Sequence, residues 1–130
     1  MAEQLTAQQA RELADRFLHL ATQLADYCAI NSDKLTDAER VKIQSQASSL
    51  LRQSSDMTAV AIGKTLEGLA DTLQKTSQAT DQMQRAIARL DQPNKVLGIA
   101  AAAVKLGAAI LTFNPVAIAG AIKGALKAAA

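Results

Sequence analysis

Tryptophan is absent from the 130-residue chain, and cysteine, histidine and tyrosine occur once each. Phenylalanine and proline occur twice each, and aromatics make up only 2% of the residues. A single cysteine, Cys28, cannot close an internal disulfide, so the chain is not a disulfide-stapled scaffold. One cysteine and one histidine, His19, also exclude the usual His/Cys zinc cages. The shortage of aromatics disfavours a β-rich fold. With no concentrated basic stripe either, it disfavours a nucleic-acid partner. The glycines form no phosphate-cradling loop; Gly98, Gly107, Gly120 and Gly124 are scattered through apolar sequence.

No catalytic constellation replaces what is missing. Asp15 and His19 stand four apart, one helical turn, but no further ligand or nucleophile joins them, so they read as a solvated pair. Glu12 and Asp15 alternate with Arg11 and Arg16 as ordinary helix-surface charge. Arg85 and Arg89, with Asp81 and Asp91 nearby, read as a solvated face. Cys28 reads as a buried structural thiol with no resolving partner. The expectation is a non-enzymatic protein with no metal site, no cofactor and no small-molecule substrate.

What the chain does have is alanine-rich hydrophobic content, 49% by the hydrophobic set, and room for one compact domain. Charge is nearly balanced, 14 basic against 12 acidic residues, but unevenly spread. Residues 1–95 hold every acid and are net −1; residues 96–130 hold Lys105, Lys123 and Lys127, no acid, and are net +3. Such a split suggests two physical jobs, with 1–92 an amphipathic helical bundle and 93–130 an apolar cationic hairpin. The opening Met-Ala-Glu-Gln-Leu lacks a basic segment followed by an apolar run. Synthesis in a cytoplasm, with Cys28 reduced, is therefore expected, followed by release or membrane association.

Three amphipathic helices are predicted first. Thr6 and Gln9 suit a capping box, and Leu13, Phe17, Leu20, Leu24 and Tyr27 then step by four and three to near Ile30. Thr36-Asp37-Ala38-Glu39 is a second capping box. It opens a helix with the seam Ile43, Ala47, Leu50, Ser54 and Met57, weakened by serine and glutamine and ending in a turn at 54–56. A third helix is expected over 57–91, on a seam of Ile62, Leu66, Leu69, Leu73, Thr76, Thr80, Met83, Ile87 and Leu90. Pro93 ends it. Thr76 and Thr80 should bond to carbonyls of their own helix.

Residues 96–113 read VLGIAAAAVKLGAAILTF and 116–130 read VAIAGAIKGALKAAA, joined at Asn114-Pro115, a turn signal. Two apolar helices of 15–18 residues are expected there, slightly short of a hydrocarbon core about 30 Å thick. Val96, Leu97, Ile99, Val104, Leu106, Ile110, Leu111 and Phe113 favour insertion by roughly 3.6 kcal/mol, and central Lys105 opposes it by about 3. Val116, Ile118, Ile122 and Leu126 offer roughly 1.8 kcal/mol against Lys123 and Lys127, which can snorkel near the helix end. The tail is too apolar for water and too weakly apolar for a committed anchor. Either it packs inside the bundle against helices 1 and 3, or several copies enter a membrane together. Gly120-x-x-x-Gly124 permits close helix contact in both settings.

A long heptad helix running into this Ala/Gly-rich hairpin resembles the α-helical pore-forming toxins, and is similar to pore-forming bacteriocins. The resemblance implies a soluble bundle that shields an apolar hairpin and releases it to build a pore. The chain is short for such toxins, and no long helix follows the hairpin. The fold expected is all-α: three amphipathic helices plus the hairpin, in a bundle. The leading functional expectation is a small membrane-active, toxin-like component that inserts on oligomerisation, with membrane lipid and further copies as partners. The alternative is a soluble interaction module or assembly subunit, with the hairpin as core or dimer interface and a helical protein as partner.

Overall fold

Seams that step by three and four residues decide what packs against what. The computed structural model describes residues 3–4, 7–60, 65–66, 70–89, 92–112 and 114–130. Helix α1, Ala7–Ile30, buries the whole predicted seam of Leu13, Phe17, Leu20, Leu24 and Tyr27. Small Ala14 and Ala21 are buried beside it, which lets a neighbour approach closely. Thr6 lies outside the described residues, as does the side chain of Gln9. A 3-10 turn, Ser32–Lys34, leads to α2, Asp37–Val60.

The Thr36 capping box forms as expected: Thr36 N donates to Glu39 Oε1 at 2.9 Å, and Glu39 N donates to Thr36 Oγ1 at 3.1 Å. Two backbone donors that the helix leaves orphaned are thereby satisfied. Ser54 Oγ donates to Ala14 O at 2.8 Å, while Cys28 and Arg40 line one pocket at the other end. That register makes α1 and α2 antiparallel. Cys28 is buried and free.

No turn interrupts α2 at 54–56, a correction to the sequence reading. Ser54 occupies a core position with its hydroxyl bonded across to α1, and only Ser55 and Asp56 face solvent. The full seam of Ile43, Ala47, Leu50, Ser54 and Met57 is buried. One satisfied serine had read as a break.

The expected helix over 57–91 is also corrected. Helix α3 spans Ala70–Arg89, and Leu66 lies instead in a two-residue strand, β2 (Thr65–Leu66). It pairs antiparallel with β1 (Glu3–Gln4), in the register Glu3 to Leu66 and Gln4 to Thr65. Gly63 and Gly68 flank that strand in the sequence, and each disfavours helix by about 1 kcal/mol relative to alanine. Heptad spacing alone does not register that cost. Ile62, Leu69 and Leu90 lie outside the described residues, as does the side chain of Leu73. The described core positions of α3 are Thr76, Ala79, Thr80, Met83, Ala86 and Ile87. Thr80 Oγ1 donates to Ser77 O at 2.9 Å, the expected bond within its own helix.

Helix α4, Pro93–Thr112, and helix α5, Pro115–Ala129, complete an all-α bundle. The helices form a ring in the order α1, α2, α4, α5, α3, and α4 also touches α1 and α3. It therefore contacts every other helix. Two changes check this packing. Thr36→Ala should cost about 1 kcal/mol in urea unfolding through loss of the cap. Leu106→Ala, at a fully buried α4 position, should cost about 2–5 kcal/mol in the same assay.

Candidate functional site: the C-terminal helical hairpin

The corner between α4 and α5 is built by two residues the sequence had singled out. Asn114 Oδ1 accepts from Val116 N at 3.0 Å and Ala117 N at 3.4 Å, a side-chain N-cap. Pro115 follows at the first helical position, where its missing donor costs nothing. Thr112 Oγ1 accepts from Asn114 N at 3.2 Å and closes the turn from the other side.

Helix α4 is longer than expected because Pro93 opens it. Its 20 residues reach about 30 Å, the thickness of a hydrocarbon core. With a mean hydropathy of 1.7 over its best window, it is the one described helix long and apolar enough to cross a membrane. The 15 residues of α5 reach only about 22 Å.

The predicted hairpin residues divide between inside and outside. Val96, Ile99, Leu106 and Ile110 of α4 are buried with Ala100, Ala103 and Gly107, and Ile118 and Ile122 of α5 are buried with Ala125. Leu97, Val104, Leu111 and Leu126 are half-buried. Val116 is 81% exposed, and Phe113 lies outside the described residues. Lys105, Lys123 and Lys127 are all exposed. Of the heptad seam outside the hairpin, Met83 and Ile87 are buried.

The hairpin packs on α3 and touches α1 as expected, and it adds a neighbour the sequence did not name, α2. Helix α4 rests chiefly on α2 and α5, with lighter contact to α1 and α3, and α5 packs on α4 and α3. Ile43, Leu50 and Met57 on α2 supply an apolar face that its serine and glutamine content disguises.

Gly107 marks a close pass between α4 and α2. A Cβ there would overlap the side-chain amide of Gln53, whose Nε2 donates to Val104 O at 3.0 Å. Gly120 and Gly124 face open space on the outer side of α5. The small-residue motif is thus unused in the bundle.

Polar ties concentrate elsewhere. Arg16 of α1 reaches Asp81 Oδ1 at 2.7 Å, Ser77 O at 3.2 Å and Thr80 Oγ1 at 3.3 Å on α3. Gln23 Nε2 donates to Gln84 O at 3.0 Å, so residue numbers rise together and α1 and α3 run parallel. Sequence spacing had placed Arg16 among surface charges, because a partner 65 residues away leaves no local signal. Gln53, Gln23 and the bond of Ser54 to α1 were missed for the same reason. Among the described residues, Gln53 to Val104 is the single hydrogen bond seen between the hairpin and α1–α3. Asp15 and His19 are exposed, and no three His, Cys, Asp or Glu side chains gather among the described residues.

Comparison with protein-family models, curated proteins and solved structures finds no match to this chain. The glycines provide a test of the geometry. Gly107→Ala should destabilise the bundle by about 1–3 kcal/mol through overlap with Gln53. The double change Gly120→Ala and Gly124→Ala should stabilise it by about 1–2 kcal/mol, since open space leaves only the gain in helix propensity. Thermal unfolding of the variants separates the two outcomes.

Proposed function

We propose that the chain is a non-enzymatic, membrane-active helical protein of the pore-forming type. In this reading the closed bundle is a stored state, and the α4–α5 hairpin passes into a bilayer as copies assemble. The observation that carries the reading is how the hairpin is held. Val96, Ile99, Leu106, Ile110, Ile118 and Ile122 are buried, partly against each other and partly against α1–α3, an apolar contribution of roughly 9–18 kcal/mol in water in total. Lipid tails are as apolar as those neighbours, so a bilayer can replace this term almost whole. A single described hydrogen bond, Gln53 to Val104, is broken in the exchange. Lys105, Lys123 and Lys127 already point away from the core, and in a membrane they would meet head groups or a wet lumen. Gly120 and Gly124 would then serve as the close helix contact that they do not make in the bundle.

A second reading rests on the position of α4. A helix that touches every other helix is an integral core element, as in a soluble interaction module or assembly subunit. Residues 96–130 therefore cannot simply be deleted as a control, because the truncated chain would lose its core.

Liposome flotation with dye release on the same sample tests the first reading. The wild type should float and release dye. Gly120→Ile with Gly124→Ile should leave the bundle folded and bound but reduce release about tenfold, by blocking the close contact. A folded protein that neither floats nor releases dye would contradict the reading. The interaction module would then be marked by a concentration-dependent oligomer.

A further inference from the structure

Helices α3, α5 and α4 are consecutive in the ring, with α5 between the other two. The Ser77, Asp81 and Gln84 flank of α3 faces α1, as the Arg16 and Gln23 bonds require. Lys75 and Arg89 therefore fall on the opposite flank of α3, beside α5, and Arg85 points outward between the two flanks. On α5, Lys123 and Lys127 share the outer row with Val116 and Gly120, opposite buried Ile118, Ile122 and Ala125. On α4, Lys105 sits opposite the buried row in the same way. All six of these cations are exposed, as is Lys95 in the first turn of α4. Across these three helices the described side chains include one carboxylate, Asp81, and Arg16 already holds it at 2.7 Å. By contrast, the α1–α2 side interleaves both signs, with Asp15, Asp26, Asp37 and Asp56 near Arg11, Lys42 and Arg52.

We propose that the α3–α5–α4 side of the closed bundle is the face that docks on anionic phospholipid head groups before the hairpin is released. The inference rests on the membrane-active reading and names the lipid class it requires. Charge complementarity selects the occupant, since the described side chains of this face carry exposed cations and one acid already paired with Arg16, and such a face is drawn to a negative surface. The side chains between the cations on α4 and α5 are mainly alanine and glycine, so the backbone can lie close to a flat surface. Val116, 81% exposed at the start of α5, supplies an apolar contact at the interface. No described side chain on this side is aromatic, which disfavours single-stranded nucleic acid as the occupant.

The test is flotation of the full chain on vesicles of phosphatidylcholine alone and with about 30% phosphatidylglycerol, followed by dye release. The wild type should bind only the anionic vesicles and come off in about 0.5 M salt, where screening is strong. Arg85→Glu with Arg89→Glu should weaken binding at least about tenfold while helicity and melting stay unchanged. Lys42→Glu with Arg52→Glu changes net charge equally on the other side and should leave binding intact. Equal losses from both double variants would overturn the proposal, as would equal binding to neutral vesicles. Salt-sensitive retention on single-stranded DNA with no vesicle binding would overturn it too. Selective docking without dye release would support the docking face and contradict the pore-forming reading. Dye release indifferent to lipid charge and to both double variants would do the reverse.

Discussion

Helix α4 imposes the constraint on which the other helices depend. It has 20 apolar-rich residues and one central lysine, and only the side that carries Lys105 belongs in water. The remaining helices meet that demand by surrounding it. Helix α2 brings Ile43, Leu50 and Met57, α5 closes the neighbouring side with Ile118 and Ile122, and α1 and α3 complete the wrap. Alanine at 100 and 103 and glycine at 107 keep α4 narrow enough for all four neighbours to reach it. Burial of this kind outweighs any single hydrogen bond here. A fully buried leucine or isoleucine contributes about 1.5–3 kcal/mol, against a net 0.5–1.5 for an ordinary hydrogen bond.

The polar interactions are unevenly spread over the bundle. Arg16 ties α1 to α3 at three acceptors, and Ser54 ties α2 to α1 through a buried bond. The hairpin is fastened by apolar contact and by Gln53 alone among the described residues. Water enforces apolar contact, whereas a bilayer offers an equivalent surface. Helices α1 and α3 are thus joined by several directional bonds, whereas α2 on α1 and the hairpin on α2 each rest on apolar contact and one described hydrogen bond. The charges are also unevenly spread, since the described side chains of α3, α5 and α4 are mainly cations among the charged ones.

Much of the fold was legible because its core positions follow simple periods. The seams of α1 and α2, the Thr36 capping box and the Asn114-Pro115 corner all rest on local chemistry that spacing reveals. Two boundaries were misread for opposite reasons. At Ser54 a polar residue suggested a break, but its partner, Ala14 O, lies on another helix. Around Leu66 an unbroken heptad suggested a helix, although two nearby glycines opposed it. At the hairpin, composition gave the apolar and cationic character but not the direction of each residue. Val116 counted as an insertion residue and proved the most exposed large hydrophobic side chain described, while Ile118, two positions on, is 3% exposed. The Arg16 clamp and the Gln53–Gly107 contact depend on tertiary neighbours, and no local pattern encodes those.

Hydrogen–deuterium exchange of the full chain, alone and with vesicles containing phosphatidylglycerol, tests most directly whether the hairpin leaves the bundle. In water, α4 should be among the most protected segments, as befits the helix touched by all the others. With vesicles, α4 and α5 should stay protected in their new setting. The inner positions of α1 and α2 around Phe17, Leu24 and Leu50 should exchange faster once the hairpin that covers them has gone. An exchange pattern unchanged by vesicles, with α1 and α2 as protected as before, would contradict release and leave α4 a permanent core helix.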